Sequence, residues 1–227
     1  MDKLKKASYK RGFDLTFLVV SHFFLAPLLL VLWVVIPLLI WREDKGPVFY
    51  CQKRCGKNGK ELTVLKFRTM VINAEKLGPA WTEESDLRIT PIGRFLRKTA
   101  LDELPQTINI LKGEMSWVGS RPFDVDEQKL LEKQIPGFKK RLMISPGLTS
   151  LAEVYDSTDD PLATLHYELD YIGKMGSWLD LKLLFLSLVN TFLGRWDRRS
   201  GKRFHKTNKN KDNNRHDFNY RRRRQKH

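Results

Sequence analysis

The sequence predicts an α+β protein in which a re-entrant membrane helix precedes a small, helix-rich domain that carries a short β-hairpin. Three observations support this reading. Residues 15–41 contain no Asp, Glu, Lys or Arg, and the run is longer and more apolar than a soluble core helix. Two short β-prone runs, residues 47–50 and 62–67, flank Gly56-Lys57-Asn58-Gly59, whose glycines and asparagine suit a tight turn. Further on, apolar residues recur at helical spacing. With 227 residues there is room for one compact domain beside such a helix. The organisation expected is a basic flank at 1–14, a membrane helix at 15–41, a catalytic domain at 42–194 and a basic tail at 195–227.

A straight helix over 15–41 is about 40 Å long, more than a hydrocarbon core of about 30 Å. Pro27 sits near its middle, where it removes a backbone hydrogen bond and bends the helix. Lys3, Lys5, Lys6, Lys10 and Arg11 precede the run, and Arg42, Lys45, Lys53, Arg54, Lys57 and Lys60 follow it. Positive charge on both flanks places both ends on the cytoplasmic side, as a hairpin turning at Pro27 would. A single tilted span kinked at Pro27 is the other reading. The apolar run is about twice the 7 to 15 residues of a signal-peptide core, and no small-x-small cleavage site follows it.

The 41 Lys and Arg exceed the 26 Asp and Glu by 15. Residues 195–227 hold 14 basic and three acidic residues, so the remaining 194 carry only about +4. A near-neutral body with a basic tail suggests an electrostatic tether to anionic lipid headgroups, or a solvated tail. No aromatic ladder or RNA-binding signature accompanies the tail, and no nucleic-acid partner is expected. Cys51 and Cys55 have no second pair at metal-ligand spacing and read as free thiols.

Within the domain, residues 78–88 read as polar and irregular. Thr90-Pro91 reads as an N-cap and first helical residue of a helix reaching about Lys98. A second helix is expected from about Asp102 to before Gly113, with Leu104, Ile108 and Leu111 on one face. Ser145-Pro146-Gly147 reads as a turn, and residues 162–175 and 178–193 as two further helices. In the last helix Leu181, Leu184, Phe185, Leu188 and Phe192 form a stripe, expected to face the core in preference to a membrane interface.

The chemistry concentrates in Arg94-Phe95-Leu96-Arg97-Lys98-Thr99-Ala100-Leu101-Asp102-Glu103-Leu104-Pro105. At a helix N-terminus, the dipole would lower the Asp102 pKa and keep the carboxylate ionised as nucleophile or metal ligand. Such a carboxylate can attack phosphorus if cations neutralise the phosphate. Lys66, Arg68, Arg94, Arg97 and Arg121 are the candidates for that task. Asp102 and Glu103 beside a pyrophosphate are also a fit setting for Mg²⁺. An Asp102 that only caps a helix, with arginines on a solvated face, is the plainer alternative.

Three ordered motifs carry a resemblance. They are Lys66-Phe67-Arg68-Thr69-Met70, the run from Ile89-Thr90-Pro91 through Leu101-Asp102-Glu103-Leu104-Pro105-Gln106, and the run from Asn109-Ile110-Leu111-Lys112-Gly113 through Val118-Gly119-Ser120-Arg121-Pro122. Together they resemble the bacterial sugar transferases, the monotopic polyprenyl-phosphate phosphoglycosyltransferases, from Lys10-Arg11-Gly12-Phe13-Asp14 to about Leu186. The resemblance implies an enzyme that uses Mg²⁺. In it the residue matching Asp102 attacks the β-phosphate of a nucleotide diphosphate sugar, typically a UDP-sugar, and undecaprenyl phosphate then takes the phosphosugar. It further implies that Glu103 is the second acid of a dyad near metal and phosphate, that Arg97 and Arg121 are active-site arginines, and that Pro27 is the bend of a re-entrant helix. The catalytic domain would lie on the cytoplasmic face of the bacterial inner membrane, starting a surface polysaccharide or glycoconjugate, in a short form without a multi-span N-terminal domain.

The chain departs from the family pattern at the bend, which reads Ala26-Pro27 where Ser-Pro is frequent. Gly119-Ser120-Arg121-Pro122 stands where Gly-Pro-Arg-Pro is usual. Residues 145–157, with Ser145-Pro146-Gly147-Leu148-Thr149-Ser150-Leu151-Ala152-Glu153-Val154 and Tyr155-Asp156-Ser157, replace a stretch that often carries arginine. These departures motivate one alternative, a catalytically impaired relative acting as a membrane adaptor through its basic tail.

Overall fold

The computed structural model describes residues 8–78, 86–156, 158 and 160–193. The basic tail at 195–227, Lys3, Lys5 and Lys6, most of the stretch 78–88, and Ser157 lie outside the described residues.

The architecture is mixed α and β. Helix α1 (Ser8–Asp44) leads into strand β1 (Phe49–Cys55), which pairs antiparallel with β2 (Glu61–Phe67) in a register that sets Phe49 opposite Phe67. The expected hairpin is present, with a longer first strand, because the reversal is confined to a 3₁₀ turn at Lys57–Gly59 in which Asn58 and Gly59 take φ of 58° and 80°. Short α2 (Ala74–Leu77) and α3 (Pro91–Thr99) follow. Thr90 caps α3 as expected, its hydroxyl accepting from Gly93 N at 2.9 Å. After a 3₁₀ turn at Leu101–Glu103 come α4 (Gln106–Lys112), β3 (Ser116–Val118), α5 (Val125–Gln134) and a 3₁₀ segment at Phe138–Met143. Strand β4 (Gly147–Thr149), α6 (Leu151–Tyr155), α7 (Pro161–Lys174) and α8 (Ser177–Phe192) complete the order.

Helix α1 spans 37 residues with Pro27 and Pro37 inside it; a proline deletes one hydrogen bond and the flanking bonds carry the helix across. Three expectations are corrected. Helix α4 starts at Gln106, four residues later than expected, since the chain first makes the 3₁₀ turn and then Pro105. Its buried face is accordingly Gln106, Thr107, Asn109 and Ile110, while Leu111 is exposed. Residues 145–147 form no turn. Pro146 bridges Ser120, and β4 pairs parallel with β3. The two backbones approach so closely that a Cβ on Gly119 would lie 2.2 Å from Ser145 O, and one on Gly147 would lie 2.1 Å from Gly119 N. Finally, most of the α8 stripe faces outward, with Leu184 alone of the five packed on the core. Phe185 and Phe192 are 65% and 82% exposed, and the inner face is instead Asp180, Leu183 and Asn190.

Both ends of α1 are fastened to the same domain. Near its start, Asp14 accepts hydrogen bonds from Ser116 Oγ (2.8 Å) and Trp117 N (3.2 Å), and Tyr9 and Lys10 donate to Asp180 at 2.9 and 2.6 Å. Arg11 donates to the carbonyls of Ile110 and Leu111, satisfying the open end of α4. Near its other end, Arg68 makes a two-pronged bond to Asp44 at 2.5 Å, and Ile36 and Ile40 pack on Phe67 and Leu96. Between these anchorages Phe23, Phe24, Leu30 and Val34 are 67–76% exposed. The helix is long and apolar enough to cross a membrane.

The main core lies between α4, the β3–β4 pair, α7 and α8, with Ile110, Val118, Tyr171 and Leu183 at its centre. Each large apolar side chain buried there contributes about 1.5–3 kcal/mol relative to exposure. Beside it sits a buried ion pair. Arg141 donates to Glu168 Oε2 (2.5 Å) and Oε1 (2.9 Å) and to Gln128 (2.7 Å), with its guanidinium 4.5 Å from the Phe123 ring centroid. The pair also holds the backbone of Arg121, whose N–H donates to Glu168 at 2.6 Å and whose carbonyl accepts from Arg141.

Removing one partner of this pair leaves a buried, uncompensated charge. Arg141→Leu is expected to lower stability by about 3–5 kcal/mol, read as the unfolding midpoint in detergent, and pairing it with Glu168→Leu is expected to recover part of the loss. A single variant as stable as the parent would show that the pair does not support the fold.

Candidate active site

Helix α3 ends at Ala100, whose φ of 55° is left-handed and whose N–H closes on the carbonyls of Arg97 and Leu96. A non-glycine residue there costs roughly 1–2 kcal/mol. The reversal turns the 3₁₀ segment back against β2 and seats Asp102 and Glu103 between the sheet and a cavity. The cavity has a volume of about 590 Å³. One wall is polar, with Arg97, Asp102, Glu103 and Arg121 joined by Thr149, Glu153 and Asp156. The other is largely apolar, built from Phe17, Leu25 and Leu29 on α1 and Leu184 and Leu188 on α8.

Asp102 is 9% exposed, and among the described residues no side chain hydrogen-bonds to its carboxylate. Burial pushes its pKa up to about 6, with the Glu103 charge adding to the rise and Lys66 and Arg97 opposing it. This corrects the helix-dipole expectation. Asp102 sits in a 3₁₀ turn and not at an α-helix N-terminus, so burial sets the direction. Its neighbour Glu103 is engaged, accepting from Lys66 Nζ at 2.6 Å. Burial disfavours the Lys66 ammonium, but Glu103 and Asp102 outweigh that and hold its pKa above the ordinary lysine value.

Asp102, Glu103, Arg97 and Arg121 thus meet in one cavity. Arg97 is held by a 2.8 Å bond from its Nε to Thr69 Oγ1. Lys66 lines an adjoining cavity of about 190 Å³ together with Arg54, Glu103, Arg121 and Glu153. Two candidates fall elsewhere. Arg68 is committed to Asp44 and the Pro47 carbonyl, and Arg94 lies exposed on the outer face of α3. Pro27 lies in the exposed middle of α1.

Sequence reasoning missed Arg54, which it counted only as a flanking charge, Glu153 of α6, and Asp156 just after that helix. Glu153 faces both cavities, and burial raises its pKa to about 7, against the pull of Arg121 and with the Glu103 charge adding to the rise. The one signal was the departure at residues 145–157, which marked the segment and assigned it no role.

Comparison with known proteins follows the same outline. The chain is 33% identical over 192 residues to the UDP-N-acetylgalactosamine-undecaprenyl-phosphate N-acetylgalactosaminephosphotransferase of Aeromonas hydrophila, covering 83% of this chain and 44% of that protein. It is 37% identical over 196 residues to the undecaprenyl-phosphate glucose phosphotransferase of Komagataeibacter xylinus, covering 82% and 36%. It is 35% identical over 196 residues to the UDP-glucose:undecaprenyl-phosphate glucose-1-phosphate transferase of Klebsiella pneumoniae, covering 81% and 42%. The chain therefore spans less than half the length of these relatives. The family model described as bacterial sugar transferase matches residues 5–194, which include both anchorages of α1, the 3₁₀ turn of Asp102 and every wall of the cavity, and the chain belongs to that family.

Proposed function

We propose that this chain transfers a phosphosugar from a nucleotide diphosphate sugar, a UDP-sugar in the first instance, to undecaprenyl phosphate. The observation that carries the proposal is a single cavity lined by Asp102, whose carboxylate bonds no side chain among the described residues, by the cations Arg97 and Arg121, and by apolar residues from α1 and α8. Such a cavity suits an acceptor whose phosphate is polar and whose chain is hydrocarbon.

In the first step a carboxylate oxygen of Asp102 attacks the β-phosphorus. The bond from that phosphorus to the bridging oxygen breaks, its electron pair leaves with the nucleoside monophosphate, and the phosphosugar remains as an acyl phosphate on Asp102. In the second step a phosphate oxygen of undecaprenyl phosphate attacks the same phosphorus and frees the carboxylate. Arg97 and Arg121 offset the charge that builds on the phosphoryl oxygens, and the desolvated site strengthens that attraction. Lys66 neutralises Glu103, which limits repulsion between the acid pair and the incoming anion.

The donor set fits Mg²⁺. Two adjacent carboxylates line the cavity, one without a side-chain partner, and no group of three or more metal-binding side chains occurs among the described residues. Mg²⁺ is held through one or two carboxylates, with phosphates and water completing its shell. Asp102 and Glu103 would hold the ion, which when bound neutralises pyrophosphate charge.

The exposed middle of α1 and the outward stripe of α8 are apolar surfaces that a bilayer would cover. Because both ends of α1 hold the same domain, we propose that it enters the bacterial inner membrane and returns to the cytoplasmic face, with Pro27 in the inserted part. There a cytosolic nucleotide sugar and a membrane-borne phosphate can meet, and the product starts a surface polysaccharide or glycoconjugate. The basic tail would add attraction to anionic headgroups.

Asp102→Asn is expected to lower transfer of labelled sugar from a UDP-sugar to undecaprenyl phosphate at least 1,000-fold. Near-normal transfer would remove Asp102 as nucleophile. The same substitution should raise stability. A buried acid whose folded pKa is near 6 stabilises the fold below its unfolded value, about 3.9, and that contribution is lost as pH rises through 6. At pH 7 in chelator, Asp102→Asn is therefore expected to gain about 2–3 kcal/mol, and the gain should vanish near pH 4. A cysteine at Lys5 in a chain lacking Cys51 and Cys55 should resist an impermeant maleimide applied to intact spheroplasts and react once they are lysed. Labelling from outside would mean that α1 crosses the membrane.

A further inference from the structure

Two buried polar atoms have no hydrogen-bond partner among the described residues, Thr149 Oγ1 and Asp156 Oδ2. The residues are 3% and 8% exposed, and both line the large cavity beside Asp102. An orphaned buried polar group costs about 1–3 kcal/mol of desolvation, and two on one wall point to a ligand that completes them. Their positions are fixed. Thr149 ends β4, where its carbonyl accepts from Gly119 N at 3.0 Å. Ser150 caps α6 by accepting from Glu153 N at 3.0 Å. Asp156 closes the same turn, and its other oxygen, Oδ1, accepts from Thr158 N (2.8 Å) and Thr158 Oγ1 (2.6 Å). Glu153 and Asp156 are three residues apart, so their side chains share a face, and among the described residues Glu153 accepts no side-chain hydrogen bond either.

We propose that Thr149, Glu153 and Asp156 form the subsite that holds the sugar ring of the donor, accepting hydrogen bonds from the hydroxyls of a neutral hexose and disfavouring a sugar that bears a carboxylate. The subsite rests on the phosphosugar-transfer reading. The cavity divides its charge accordingly. Arg97 and Arg121 suit the phosphates, whereas a wall with the Asp156 and Glu153 carboxyl groups and the Thr149 hydroxyl suits ligand groups rich in hydroxyls. A uronic carboxylate placed there would meet like charge in a desolvated setting.

The test uses the full chain in detergent with Mg²⁺ and undecaprenyl phosphate, and measures nucleoside monophosphate release from UDP-glucose, UDP-galactose, UDP-N-acetylgalactosamine and UDP-glucuronate. The parent is expected to prefer the neutral donors at least tenfold in kcat/KM. Thr149→Val and Asp156→Asn should each lower kcat/KM for the preferred neutral donor about 10- to 100-fold, and Asp156→Asn should narrow the preference over UDP-glucuronate. If the parent turns over a neutral donor and both variants keep its kcat/KM, or lose all donors in the same proportion together with their melting temperature, the three residues are structural and the subsite is overturned alone. If the parent releases nucleotide from none of the donors, the phosphosugar-transfer reading falls and the subsite with it.

Discussion

Arg141 and Glu168 lie 27 residues apart and are almost wholly excluded from water, and the candidate site depends on their pairing. Each ion alone would be strongly unfavourable there. Together they use their spare hydrogen-bonding capacity on the backbone of Arg121, one through its N–H and the other through its carbonyl. Since both backbone groups are committed, the guanidinium of Arg121 enters the cavities from a fixed root. The close approach of Gly119 to residues 145–147 fixes the same loop from the other side. Preorganisation of this kind lets a cation act on a phosphate without first reordering the chain around it.

A similar economy surrounds Asp102. Lys66 and Arg97 pull its pKa down against the rise caused by burial, yet among the described residues none bonds directly to its carboxylate. Lys66 is spent on Glu103 and Arg97 on Thr69. A nucleophile tied in a tight ion pair would have to break it before attacking. Here burial raises the energy of the charged form, and the left-handed Ala100 adds local backbone strain at the same point. The fold gives up stability where reactivity is wanted.

Much of this was legible in the sequence wherever local chemistry decides the outcome. The turn at Gly56 to Gly59, the Thr90-Pro91 start of α3 and the extents of α7 and α8 follow from residues near one another in the chain. So does the meeting of Asp102, Glu103, Arg97 and Arg121, once the resemblance ordered the motifs. The failures share a different cause. Periodicity identified the apolar stripe of α8 without saying what it faces, and the domain turned out to use the opposite face, where Asp180 receives Tyr9, Lys10 and Tyr171. The duty of Arg68 depends on Asp44, 24 residues away, and the orphaned oxygens of Thr149 and Asp156 are visible only once their surroundings are built. Long-range pairing and burial leave no short-range mark.

Helix α1 is fastened at Asp14 and at Asp44 and contributes Phe17, Leu25 and Leu29 to the cavity between those points. A chain trimmed of it for the sake of solubility would lose more than its attachment. It would lose the partners of Ser116, Arg68 and Asp180 and one side of the cavity that Asp102 lines, so water would reach the carboxylate and its pKa would drift back toward that of an ordinary surface acid. In this architecture, greasy surface and cavity wall are one object, and neither can be purified away from the other.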